Sequence, residues 1–86
     1  MHNIFLGGHT MKSVKISLNS IDKVKSFVND IARFDAEFDL VSGRYVIDAK
    51  SIMGIFSLDI SQPIDLNIHA EGDDSEIMKA LEPYII

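Results

Sequence analysis

The residues with chemistry to offer are few, and most gather in one segment, DAKSIMGIFSLD, at positions 48–59. Ser51 precedes an apolar run and has the type and place of a helix N-cap, whose hydroxyl accepts from a free backbone N–H of the first turn. The same place suits a phosphate. Free N–H groups and the positive end of the helix dipole tolerate a phosphoserine there, and Lys50 adds a neighbouring cation. A serine before a helix is a cap first; modification is the additional reading. Cysteine is absent, which removes disulfides, thiolate metal sites and thiol nucleophiles. The imidazoles are His2, His9 and His69. The first two lie ahead of the first strand pattern, and His69 faces outward from the last as a solvated edge residue. Asp35, Glu37 and Asp39 form one acidic cluster and Glu71, Asp73 and Asp74 another, neither with the spacing of an EF-hand loop. Caps and solvated loop edges account for both. With no nucleophile–base–orienter set and no P-loop, the chain reads as non-catalytic, without cofactor or metal.

The elements that must position these residues follow from hydrophobic period. In KSVKISL, Val14, Ile16 and Leu18 alternate with Ser13, Lys15 and Ser17, a half-buried strand. After Ser20, a good N-cap, the period turns helical: Ile21, Val24, Val28 and Ile31 form a stripe that Phe27 widens, and the helix should run to about Phe34. EFDLV and RYVID read as two strands joined in a hairpin at Ser42-Gly43. SQP turns the chain after residues 48–59. Ile64, Leu66 and Ile68 then alternate with Asp65, Asn67 and His69 in a fourth strand. EGDDSEIMKALEPYI supplies a last helix, with Asp73 and Glu76 in the form of a capping box and Pro83 ending the regular part. The order β-α-β-β-α-β-α, with strands polar on one face, predicts an α+β open-faced sandwich: a four-stranded antiparallel sheet with three helices packed on one side.

Stepping 100° per residue from Ile52 spreads the apolar residues of the second helix over about 220°, against roughly 100° or more for an ordinary surface helix. One sheet cannot cover that arc. Ile55 and Leu58 are assigned to the core side; Ile52, Met53 and Phe56 are left partly exposed as a surface suited to a protein partner. The plainer alternative is that the last helix or the N-terminal leader covers this second face. Gly54 inside so short a helix costs up to about 1 kcal/mol relative to alanine and implies a close approach.

Composition bounds the rest. The 86 residues support one domain, with 47% apolar and 24% charged residues, ordinary for a globular fold. A net charge of −5 argues against nucleic acid. No apolar run approaches the roughly 20 residues of a membrane span, and the absence of cysteine fits a reducing cytoplasm. MHNIFLGGHT is too short for a signal peptide and lacks a basic start. Residues 1–10 are therefore read as a tag-like leader and residues 11–86 as the domain.

AKSIMGIFSL followed by IDLNIHAEGDD resembles HPr, the histidine-containing phosphocarrier family of the bacterial sugar phosphotransferase system. KSIMG is the specific part, AEG with its acidic neighbours a weaker companion, and the resemblance covers essentially residues 11–86. It implies that Ser51 matches the regulatory serine phosphorylated by HPr kinase/phosphorylase. It also implies that Ile52, Met53 and Phe56, beside Lys50, match the patch used to contact enzyme I, that kinase and a catabolite-control repressor. The family's active histidine belongs to a GLHARPA-like segment. Counting back without gaps from Ser51 puts that position at Ser20, its arginine at Asp22 and its proline at Lys23, within NSIDKVK. The expectation is a cytoplasmic regulatory HPr-like protein that lacks the phosphoryl-carrying histidine and binds protein partners, with neither nucleic acid nor membrane insertion. Two alternatives stand beside it: an active phosphocarrier of sugar uptake using an unexpected residue, and a structural interaction or dimerisation module whose patch is permanently covered.

Overall fold

Backbone pairing along the fourth strand organises the molecule. The computed structural model describes residues 9–86, with the backbone alone of His9 and Thr10. Residues 1–8 of the expected leader, His2 among them, lie outside the described residues. In chain order the elements are β1 (His9–Ile16), α1 (Ile21–Ile31), β2 (Glu37–Ser42), β3 (Tyr45–Asp48), α2 (Ile52–Phe56), β4 (Ile64–Glu71) and α3 (Ser75–Leu81). The sheet order is β1-β4-β2-β3, antiparallel throughout. The fold is the expected α+β open-faced sandwich. Strand β1 starts earlier than expected: His9 pairs with Glu71 and Thr10 with Ala70. An eight-residue β4 offers backbone partners that far, and the ladder runs on to satisfy them. His9 is thus a strand residue, not one ahead of the strand.

Alternation sets the faces. Ile16, Phe38, Leu40, Ile64, Leu66 and Ile68 are buried beneath the helices, where Val24, Phe27 and Ile31 of α1, Ile55 of α2, and Ile77 and Leu81 of α3 meet them. Among the described residues the buried core contains no charged residue, and the hydroxyl of its Tyr84 is hydrogen-bonded to Ser26 and Asp30. Helix α1 packs against both α2 and α3. Ile21, expected in the stripe of α1, is 58% exposed. It is the first residue after the cap. The helix stops at Ile31, short of Phe34, with the Ala32 N–H still bonded to Val28 O. The Phe34 N–H closes a turn on Ile31 O at 3.1 Å, and the chain enters β2 at Glu37.

Two local features depart from expectation. In the hairpin, Ser42 pairs with Tyr45, so the connecting residues are Gly43 and Arg44. Gly43 has φ 60°, the left-handed conformation that glycine takes without strain and that primed hairpin turns require. The Asp73–Glu76 capping box does not form. Asp73 instead accepts from the Ser75 N–H at 3.0 Å and meets the Ser75 hydroxyl at 3.1 Å, a local Asx turn. Asp74 takes the N-cap place of α3 without a capping bond: its backbone (φ −101°, ψ 14°) is not extended as a cap requires, and its carboxylate pairs with Lys12 Nζ at 3.1 Å.

Candidate functional site

Ser51 is built as an N-cap. Its backbone is extended (φ −96°, ψ 105°), and its hydroxyl oxygen accepts from the Gly54 N–H at 3.2 Å. The helix it opens is shorter than the apolar run suggests. After Phe56 the bonds tighten to three-residue closures, Ser57 N–H to Gly54 O at 3.1 Å and Leu58 N–H to Ile55 O at 2.9 Å. A little over one turn suffices to divide the side chains. Ile55 is fully buried and Leu58 nearly so, Ile52 is half-buried, and Met53 and Phe56 are 78% and 41% exposed. Helix α3 packs on α1 and leaves Met53 in solvent. The alternative in which the leader covers this face falls on residues outside those described. The close approach at Gly54 is internal: a Cβ there would lie 3.2 Å from Ser51 Oγ and 3.3 Å from Ile47 Cδ1.

Lys50 is engaged elsewhere. Its ammonium donates to the Phe34 carbonyl at 2.6 Å and stands 5.6 Å from the centre of the Phe38 ring. The cation therefore ties the segment before α2 to the turn after α1. It is not a free charge beside Ser51, because the Phe34 carbonyl and the Phe38 ring attract it away. Asp48 is the charge at this end of the segment, its Oδ1 accepting from the Lys50 N–H at 2.9 Å.

At the start of α1, Ser20 is again a cap. Its backbone is extended, and its hydroxyl accepts from the Lys23 N–H at 3.1 Å. The sequence of α1 and its flanks, residues 17–36, contains no histidine. His69 pairs with Met11, and His9 with Glu71, so both sit toward the start of β1, whereas α1 follows its end at Ile16. From Met11 to Ile16 a strand advances roughly 17 Å, which sets both imidazole-bearing positions far from Ser20. His69 is on the outer face as expected, but it is not at an edge: β4 is an interior strand, and His69 Nε2 lies 3.3 Å from Asp39 Oδ2.

The register also unites the two acidic clusters, which the sequence keeps more than thirty positions apart. Glu37 pairs with His69, and an open groove results, with Asp35, Glu37, Glu71 and Asp73 around Phe34 and Ile77. Strand pairing brings the two clusters together and α3 adds Ile77, and no spacing in the sequence announces it. Among the described residues no group of three histidine, cysteine or acidic side chains is arranged to hold a metal ion.

The family model for the PTS HPr component phosphorylation site matches residues 23–86. The chain belongs to the HPr family. The matched span opens at Lys23, inside the first turn of α1. The HPr-like protein Crh of Bacillus subtilis (strain 168) is 33% identical over 60 residues, covering 69% of this chain and 71% of that protein. Among solved structures, the phosphocarrier protein HPr of Bacillus anthracis str. Ames is 34% identical with a TM-score of 0.61, over 87% of this chain and 90% of that one. HPr-C-His of Thermoanaerobacter tengcongensis is 31% identical with a TM-score of 0.60, over 87% and 86%. The chain is thus an HPr-like member of a phosphocarrier family of the phosphotransferase system, and no helix among the described residues is long and apolar enough to cross a membrane.

Proposed function

We propose that this HPr-like protein is regulatory rather than phosphoryl-carrying: it binds a protein partner through Ile52, Met53 and Phe56, and phosphorylation of Ser51 modulates that binding. The observation that carries the reading is the exposure of Met53 and Phe56 on a helix whose cap, Ser51, is itself exposed. An exposed methionine and aromatic side by side are suited to a partner surface. A phosphate on Ser51 would add nearly two negative charges at the rim of that surface while still accepting from backbone N–H groups. With Lys50 held by Phe34 O, the new charge is not neutralised from within the segment. Its effect falls on the partner. The absence of histidine from α1 supports loss of the phosphoryl-carrying step, with Ser20 in its place. The family suggests HPr kinase/phosphorylase, a catabolite-control repressor and enzyme I-like proteins as partners, and a cytoplasmic setting.

The test is intact-mass measurement after incubation with HPr kinase/phosphorylase and ATP. Native protein should gain one phosphate and Ser51→Ala none; an unchanged native mass removes the switch. The phosphocarrier alternative is read in the same assay with enzyme I and phosphoenolpyruvate. An acid-labile phosphate there would replace the regulatory reading.

A further inference from the structure

We infer that the free edge of β3 is a self-pairing surface. Two copies of the chain would join antiparallel through β3, with Val46 opposite Val46, Tyr45 opposite Ile47, and Arg44 opposite Asp48 of the second copy.

The two edges of the sheet are treated differently. The outer side of β1 is covered at its C-terminal end by residues 84–86: Ser17 N–H bonds Tyr84 O at 2.9 Å, Ile16 bridges to Ile85, and Ile86 N–H bonds Lys15 O at 3.1 Å. It also carries Lys12 and Lys15, charges of the kind that deter further pairing. Strand β3 ends the sheet on the other side, and among the described residues none pairs with its outer edge. It has neither proline nor lysine, and Tyr45 and Val46 are 70% and 63% exposed. An open apolar edge is what a further strand would add to.

The hairpin fixes which backbone groups face outward. Ser42 and Tyr45 flank a two-residue loop, so they exchange their bonds with each other. Alternation then turns the N–H and C=O of Val46 away from β2, and the Asp48 N–H with them. Pairing about Val46 sets these outward groups directly opposite one another. The resulting ladder has a reciprocal pair between the two Val46 residues and a bond from each Asp48 N–H to the Arg44 carbonyl of the other copy. The Asp48 carbonyl takes no part, because it already accepts from Ser51 N–H at 3.0 Å.

Charge selects this register and commits the edge to a second copy. Arg44 and Asp48 are the only charged residues across this stretch, and pairing about Val46 opposes them twice. A slip of two residues keeps the ladder and loses both charge pairs. Within one chain Asp48 stands opposite Asp39, a like-charge arrangement that costs stability. The guanidinium of the second copy would relieve it, reaching a carboxylate that among the described residues is engaged through Oδ1, by Lys50 N–H at 2.9 Å. The area covered by so short a strand is well below the roughly 1,600 Å² of a standard interface, so association should be weak and concentration-dependent.

Sedimentation of the full chain across a series up to millimolar concentration tests this, with Val46→Pro, Arg44→Asp, Asp48→Arg and the double charge exchange. Val46→Pro removes only an N–H that points away from β2, so the hairpin should persist while the dimer is lost. Each single charge change should also give monomer, and the double exchange should restore the dimer. Amide exchange at Val46 should slow as concentration rises. Native protein that stays monomeric throughout, a dimer that survives Val46→Pro, or Val46 exchange independent of concentration would each overturn the inference.

Discussion

The Ser51 hydroxyl has a structural task before any regulatory one, since it accepts from Gly54 N–H. Ser51→Ala should cost about 1 kcal/mol in urea unfolding, and Ser51→Asp, which keeps an acceptor, should cost less. Kinase assays on the alanine variant therefore need a stability control beside them. Tyr84 is the other residue with a measurable account. Its hydroxyl donates to Asp30 Oδ2 at 2.7 Å and shares a 2.7 Å bond with Ser26 Oγ, and its ring meets Phe27 edge-on at 5.4 Å. Tyr84→Phe should destabilise by about 1.5–3 kcal/mol, the scale of a bond to a charged acceptor. Burial pushes the phenol up from its ordinary 10.0; the Ser26 bond works against this, and Asp30 adds to it. Unfolded, the tyrosine loses its proton near the ordinary value, whereas folded it holds the proton to higher pH. The stabilisation is therefore complete below that value and lost as pH rises through the folded one. Alkaline titration of urea midpoints should fall more steeply for the native protein than for Tyr84→Phe. The caps at Ser20 and Ser51 were legible in the sequence because a cap is a local pattern. The bonds of Lys50 to Phe34 and Tyr84 to Asp30 were not, because they join residues that only the fold brings together.

Helix α2 shows how far a period can be read. Its amphipathic division needs only side-chain geometry, and Ile55 and Leu58 do face the core while Met53 faces water. Its length was not legible, since competing three-residue bonds end it after Phe56. Ile55→Ala should cost about 2–5 kcal/mol by thermal or chemical unfolding, as a fully buried aliphatic side chain lost from a packed core. Met53→Ala should change stability by less than about 0.5 kcal/mol and, on the proposed function, weaken partner binding measured by calorimetry. The contrast separates a surface from a core position on the same turn. Element starts elsewhere shifted for equally local reasons. The hairpin moved by one residue because Gly43 supplies the positive φ at the first loop position, and the expected capping box gave way because Asp73 bonds Ser75 instead.

At the scale of the molecule, strand and helix order was legible from alternating periods and from KSIMG, whereas the sheet order was not. Nothing in the local pattern of Ile64–Glu71 distinguishes an interior strand from an edge, and His69 was misplaced for that reason. In the sheet, β4 lies between β1 and β2, and those two strands do not pair with each other. That arrangement has a consequence for time rather than for shape. Only β2 and β3 can zip locally; β1 waits for a partner some fifty positions further on, and closing so long a loop is slow because its entropy is lost before contacts repay it. Refolding should accordingly be limited by the docking of β4. In stopped-flow chevrons Leu66→Ala should slow folding, whereas Tyr45→Ala at the free edge should mainly speed unfolding. The strand that joins the two halves of the sheet would then also set the pace at which they meet.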